Sequence, residues 1–330
     1  MTSLAPTLQA FFTERLIRQR RASPNTIAAY RDTFRLLFAY IADTTGRPPV
    51  KLDLSDIDAD TVGRFLHHLE AERGNSVRTR NARLSAIHSF FAFAALRHPE
   101  HADLIQRVLA MPEKRFDTEV VSYLTRAEVD ALLDSPDRTT WTGQRDHALM
   151  LLAVQTGLRV SELAALRCED VALGSAAHVR CSGKGRRERC TPLTKDTVAV
   201  LRVWMRSRHG RSEEPLFPSR GSNHQLTRSA IWRLIAKHAA AGSERCPSLA
   251  LKHPTPHTLR HTCAMKMLSS GIDLATIALW LGHSSLQSTN AYLHADMELK
   301  ERALARTTPA KAHPGRYRPT DKLLTFLQTL

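Results

Sequence analysis

The sequence predicts a mainly α-helical protein of two domains, with a small β-sheet confined to the C-terminal one. Three observations carry this. Before residue 110, apolar residues recur at helical spacing in four stretches, with no convincing alternating run. Residues 178–193 (HVRCSGKGRRERCTPL) alternate around a Gly-Lys-Gly turn, the pattern of a β-hairpin. Between them PEKRFDTEVV combines proline, mixed charge and little apolar period, and reads as a linker. The expected division is a helical domain at 1–110, a linker at 111–121, a second domain at 122–310 and a tail at 311–330; a chain of 330 residues has room for two cores.

The first helix is expected over residues 7–21, where Leu8, Phe11, Phe12, Leu16 and Ile17 are interleaved with Arg15, Arg18, Arg20 and Arg21. Ser-Pro-Asn-Thr at 23–26 marks a turn and a helix start, because proline suits a first turn. The helix that follows, 26–41, has a strong period in Ile27, Tyr30, Phe34, Leu37, Phe38 and Ile41. Residues 46–53 form a connector in which Pro48-Pro49 excludes helix. Helical period returns over 60–72 with Val62, Phe65, Leu66 and Leu69, ended by Gly74-Asn75. A fourth helix covers 79–96, basic at its start and apolar at its end. Arg78, Arg80 and Arg83 stand where a helix entrance could meet phosphates; a solvated basic turn is the plain alternative.

In the second domain Thr125 caps a helix in TRAEVDALL, with Glu128 at the capping-box position. Residues 146–158 (DHALMLLAVQTGL) form a buried helix closed by Gly157. TGLRVSEL follows, with Glu162 at i+3 from Arg159, placed to orient the guanidinium. A fixed charge stabilises a transition state better than a mobile one. Lys184, at the hairpin tip, is a mobile donor suited to an oxygen leaving group; the same spacing also describes an exposed turn. It is not a Walker loop, which needs Gly-x-x-x-x-Gly-Lys-Ser/Thr opening a helix.

Composition points to a polyanionic partner. The formal net charge is +15 and the pI about 10.2, within a globular balance of 42% apolar and 24% charged residues. Residues 1–120 hold 17 Lys+Arg against 14 Asp+Glu, and the remainder 30 against 18, so the positive field belongs mainly to the second domain. Five cysteines without Cys-x-x-Cys spacing suggest reduced thiols in a cytoplasm rather than a disulfide framework. The start MTSLAPTLQAFF lacks a signal-peptide pattern, and no apolar run is long enough to span a bilayer.

The chemistry-bearing stretch is HTLRHT with LGHSS and Tyr292 after it. His257 and Arg260 share one helix face; His283 follows Leu-Gly; Tyr292 stands alone. A guanidinium grips two phosphate oxygens, an imidazole moves a proton near neutral pH, and a phenol can be a covalent nucleophile. Taken singly, each has an ordinary structural role: an interior histidine, a solvated arginine, a tyrosine capping a core. A metal reading draws on His257 and His261 at i,i+4, with Cys263, His283 and His294 nearby, but the glutamate of His-Glu-x-x-His is absent and no zinc-module spacing is present.

In sequence order Arg159, Lys184, His257, Arg260, His283 and Tyr292, within TGLRVSEL, GKGRRER, HTLRHT and LGHSS, resemble the tyrosine recombinases, the phage-integrase and Xer-like family of DNA strand-exchange enzymes. The likeness spans residues 121 to about 306 and extends through SPNTIAAY to the start of a core-binding domain. Cys263 and Lys266 depart from it, standing where relatives carry an aromatic or small apolar residue. The resemblance implies a SAM-like N-terminal core-binding domain and a tyrosine-recombinase catalytic domain. It implies that Tyr292 attacks a DNA phosphodiester, leaving a 3′-phosphotyrosine and a 5′-hydroxyl, with Arg159 and Arg260 on the non-bridging oxygens, Lys184 protonating the 5′-oxygen, His257 assisting and His283 bonding the phosphate. It implies no cofactor, nucleotide or metal, a double-stranded DNA partner carrying a specific site, and a homo- or hetero-tetramer on that DNA in the cytoplasm, at the nucleoid. Integration or transposition of a mobile element is the expected role. A chromosome-dimer resolving enzyme of the Xer type, or a DNA-binding protein that has lost catalysis, are the alternatives. Residues 296–305 are expected to form a polar helix, and Leu323, Leu324, Phe326, Leu327 and Leu330 an apolar stripe that docks in trans, docks in cis or frays.

Overall fold

A computed structural model describes residues 4–116, 121–182 and 188–282, together with Thr289 and Tyr292. The chain forms two compact units, Met1–Thr118 and Glu119–Leu330.

The elements described in the first unit are all helices, joined by short turns and connectors. Helix α1 (Leu4–Ala10) runs into a π-helical stretch, Phe11–Gln19, where a plain α-helix was expected. The reason lies in the core. Phe11 and Leu16 are both fully buried although five residues apart, and in an α-helix of 3.6 residues per turn they would point about 140° apart. Wider winding, seen in the bond from the Arg20 N–H to the Arg15 carbonyl, turns both inward. Helix α2 (Pro24–Thr45) opens with the Ser23 Oγ accepting from the Thr26 N–H and with Pro24 in its first turn, and closes at Gly46 in the left-handed region. The connector after it is not free of helix: Pro49–Lys51 and Leu54–Asp56 are single 3₁₀ turns. Pro49 begins the first of them, where its missing N–H would have had no partner anyway. Helices α3 (Ala59–Ala71) and α4 (Val77–Ala94) are capped by Asp58 and Ser76.

A fifth helix, α5 (Ala102–Leu109), was not expected; eight residues with two buried side chains, Ile105 and Val108, leave too short a pattern to stand out. The core joins Phe11, Phe34, Leu37, Phe65, Phe90 and Phe91, with Phe11 edge-on to Phe90 at 5.5 Å. Arg80 is buried. It donates to Asn81 Oδ1 and the Pro112 carbonyl, while Asn81 bonds both ways with the Lys114 backbone, so residues 112–114 are tied to the start of α4. Arg83 donates to the Ala29 carbonyl and Thr33 Oγ1, joining α4 to α2, and Arg78 lies over the Phe116 ring.

The second unit begins with α6 (Arg126–Asp134), which has the expected capping box between Thr125 and Glu128. Helix α7 (Trp141–Thr156) starts five residues earlier than its apolar run suggested, because Thr140 accepts from the Gly143 N–H and supplies a cap. It ends at Gly157 (φ 63°), and α8 (Val160–Ala165) follows at once. The hairpin is present as β2 (His178–Ser182) and β3 (Glu188–Pro192), pairing Arg180 with Cys190 and Cys181 with Arg189. A two-residue strand, β1 (Val171–Ala172), adds to β2 to make an antiparallel sheet in the order β1-β2-β3; it is too short to be seen in sequence. Helices α9 (Lys195–Arg208), α10 (Arg228–Gly242), α11 (Ser248–Lys252), α12 (Pro256–Ser269) and α13 (Leu274–Leu281) complete the unit.

Its core centres on α7, where Leu149, Leu152 and Ala153 meet Leu201, Trp204, Ile231, Ile235 and Leu259. A smaller apolar cluster gathers Cys263, Met265, Leu268, Ile277, Leu281 and Tyr292. Within α7 the buried Asp146 takes two bonds from Arg145 and one contact from His238 of α10, so a carboxylate in the core is fully engaged. No helix among the described residues is long and apolar enough to cross a membrane.

Candidate active site

Three backbone features build the site. Gly157 ends α7 in the left-handed region, which frees its carbonyl and reverses the chain into α8. The packing leaves no room for a side chain there, since a Cβ at Gly157 would lie 2.6 Å from Leu281 Cδ2 and 3.2 Å from Cys263. Gly282 ends α13 in the same conformation, against Arg189. Helix α12 then brings residues 257, 260 and 261 to one face, the i, i+3, i+4 relation.

Arg159 occupies the cap position of α8. Its Nη1 donates to Glu162 Oε1 at 2.9 Å, its backbone N–H donates to Glu162 Oε2 at 2.7 Å, and its Nη2 donates to the Gly282 carbonyl at 2.9 Å. Glu162 is buried and also takes a two-pronged pair from Arg189, at 3.1 and 2.7 Å. Burial alone would push the Glu162 carboxyl up. The bonds from Arg189 and from the Arg159 backbone, with the Arg189 charge, outweigh it and hold the group below the usual glutamate range. Arg189 sits on the inward side of β3, in step with buried Thr191.

Arg260 is 4% exposed. Its Nη1 donates to the Gly157 carbonyl at 2.6 Å and its Nη2 to the Leu281 carbonyl at 2.8 Å. Burial, then the neighbouring charge of Arg159, brings its pKa down to about 10, still a full cation at neutral pH. Two guanidiniums are thereby fixed by the carbonyls at the ends of α7 and α13, close enough to feel each other. His257, one turn before Arg260, is held below its ordinary pKa by burial and then by the Arg260 and Arg159 charges, so its imidazole is neutral at pH 7.

Tyr292 is 2% exposed and its hydroxyl lies 3.1 Å from His261 Nδ1, the rings meeting edge-on at 5.5 Å. Burial raises the phenol's pKa, against the pull of Arg260 and Arg159. Burial, then His257 and Arg260, brings His261 down to about 4. The pair at neutral pH is a protonated phenol beside a neutral imidazole.

The structure thus gathers Arg159, Glu162, His257, Arg260 and Tyr292 in one place, while Lys184 and His283 lie outside the described residues, as do the expected helix at 296–305 and the apolar stripe at 323–330. Two participants escaped the sequence reading. Arg189 was legible as a cation in phase with inward-facing Thr191 on a strand. In the sequence His261 stands out only as half of a zinc-like i,i+4 pair with His257, and its ring centroid is 6.0 Å from that of His257. Among the described residues no group of three or more His, Cys, Asp or Glu is arranged to hold a metal ion. Cys263, one of the two departures, is buried with its thiol donating to the Gln155 carbonyl, and burial pushes its pKa up to about 12.

Comparison with known proteins decides the family. The model of the phage integrase family matches residues 122–298, and that of the phage integrase N-terminal SAM-like domain matches residues 10–98.

The chain belongs to the phage integrase family.

As a member it is a tyrosine-type site-specific recombinase, with the SAM-like and catalytic domains that the resemblance implied. It is 51% identical over 99% of its length to y4rC of Sinorhizobium fredii, a protein named only provisionally as an integrase/recombinase, and covers 98% of it. The tyrosine recombinase XerC of Pelobacter propionicus is 32% identical over 85% of this chain and 88% of its own. Among solved structures, XerH site-specific recombinase in a post-cleavage complex with palindromic difH substrate aligns with a TM-score of 0.68 at 20% identity, over 87% of this chain and 81% of that one. The Tn1549 transposon integrase in complex with transposon right-end DNA gives 0.68 at 17% identity, over 93% and 99%. These two show the fold.

Proposed function

We propose that this recombinase cleaves and rejoins double-stranded DNA through a covalent 3′-phosphotyrosine on Tyr292. The observation that carries the reading is a pair of guanidiniums, Arg159 and Arg260, each locked by backbone carbonyls and, for Arg159, by Glu162, whose charges both act on the Tyr292 phenol. Such a pair is a preorganised receptor for the extra charge that a phosphodiester gains when attacked. In the forward step the Tyr292 oxygen bonds to phosphorus and the 5′-oxygen departs, taking its proton from Lys184. His257 assists proton movement and His283 bonds the phosphate. The free energy of the broken ester stays in the new one, so rejoining needs no nucleotide, and no step calls for a metal. Arg78 is exposed at the start of α4 and is the best placed of the three N-terminal arginines to reach a phosphate. Arg80 and Arg83 already serve the domain's own packing.

Exchange between two duplexes requires two cleavages on each, so the working unit is a tetramer on paired sites, acting at the nucleoid in the cytoplasm. Integration or transposition of a mobile element is the role we assign. Likeness to XerC and XerD proteins favours chromosome-dimer resolution as the second reading. Inverted repeats in the DNA flanking the gene would decide for the first.

The test is a nicked duplex whose core has been selected for binding from a randomised library. The wild-type chain is expected to leave a covalent adduct that survives denaturing electrophoresis, unchanged by chelator. Tyr292→Phe is expected to bind the same duplex within about threefold and to form none. An adduct formed by the phenylalanine variant would overturn the nucleophile assignment.

A further inference from the structure

The reaction above needs a group to take the phenol's proton, and α12 carries two imidazoles, His257 and His261. When the Tyr292 oxygen attacks phosphorus its O–H bond must break, and neither arginine can accept, because a guanidinium carries donors only. Helix α12 supplies an acceptor. His261 follows Arg260, lies one turn beyond His257 on the same face, and sets Nδ1 3.1 Å from the Tyr292 hydroxyl. That distance is within reach of direct proton transfer.

Resting on the recombinase reading, we infer that His261 is a further catalytic residue, the base that holds the Tyr292 phenol and takes its proton as the phenol attacks. The atoms balance. The phenolic proton passes to His261 Nδ1, the phenol oxygen forms the P–O bond, and the P–O5′ bond breaks with its electron pair, the 5′-oxygen being protonated by Lys184. Rejoining runs the same steps backwards: the 5′-hydroxyl gives its proton to Lys184, and the imidazolium of His261 returns its proton to the released phenol. The required tautomer carries hydrogen on Nε2, leaving Nδ1 free to accept. His261 is neutral at physiological pH, the form a base must have before the reaction, and the arriving phosphate, being an anion, raises its basicity at the moment of use. Half-buried beside a phenol that is itself enclosed, the imidazole is partly withdrawn from bulk water. His257, at 6.0 Å between ring centroids, remains available for the other oxygens of the phosphate.

The experiment compares adduct formation on the selected nicked duplex by wild type, His261→Ala and His261→Asn. Asparagine offers an acceptor oxygen near the position of Nδ1 but cannot carry the proton away. Loss of a general base is expected to slow cleavage about 10²-fold in both variants, with binding of the duplex near wild type and partial recovery of the alanine variant in added imidazole. Recovery of the wild-type rate by asparagine would reduce His261 to a positioning residue and overturn the assignment. A faster rate in the alanine variant would mark the contact as a restraint on Tyr292, and overturn it too. Should alanine fail to fold, the asparagine variant carries the same decision. The underlying reading fails differently: wild type itself would then form no adduct, or Tyr292→Phe would form one.

Discussion

Glu162 is the residue on which the arginine arrangement turns. It accepts from Arg159 and Arg189 together, and both it and the Arg189 side chain are largely withdrawn from water. Replacing it with glutamine should leave Arg189 buried without a counter-charge, at a cost of about 3 kcal/mol at pH 7 by denaturant unfolding. The pH dependence has a definite sign. Glu162 has a depressed pKa in the folded protein, so its contribution is complete above the unfolded glutamate value, about 4.3, and is lost as pH falls through the lower folded value. The gap between wild type and Glu162→Gln is therefore expected to narrow in acid, and a gap that stays constant to pH ~3 would rule out the ionised pair as its source. Arg260→Lys keeps a charge but cannot bridge the carbonyls of Gly157 and Leu281 with a rigid fork. Its cleavage rate is expected to fall ~10²-fold, measured as adduct formation on saturating duplex.

At the scale of elements, the turn from α7 to α8 decides whether the site exists. Gly157→Ala must hold a left-handed backbone and push a methyl group to 2.6 Å from Leu281 Cδ2. The two effects together are expected to cost roughly 2–4 kcal/mol in thermal unfolding and to weaken cleavage as well, because the displaced carbonyl is one that fixes Arg260. Long periodic helices such as α2 and α3, and the β2–β3 hairpin, were legible because one face repeats at the period of the element. The π-helical turns at Phe11–Gln19 were not, since the need to bury Phe11 and Leu16 together comes from α2 and α4 rather than from local preference. Helix α5 and strand β1 were too short to carry a period, and they form because neighbouring elements offer them partners.

Over the whole molecule the dominant quantity is charge. A net +15, of which +12 lies beyond residue 120, predicts binding to DNA that is strong at low salt and sequence-tolerant until the site is engaged. Between 50 and 200 mM salt the affinity for a random duplex is expected to drop about 10³-fold, as for six or more phosphate contacts, in fluorescence anisotropy. A nearly flat salt response would remove the electrostatic basis of the DNA reading.

By itself the sequence determined the family-bearing order Arg159, Lys184, His257, Arg260, His283, Tyr292, the two-part division and the surplus of positive charge, because residue identity and local period are properties of the chain alone. Tertiary structure decided which atoms meet. It paired Arg189 with Glu162 across 27 residues and His261 with Tyr292 across 31, and it turned Arg80 inward. Those contacts depend on where whole helices and strands pack. Local spacing constrains only neighbours three or four apart, so no inspection of the linear order could have ranked His261 above any other histidine.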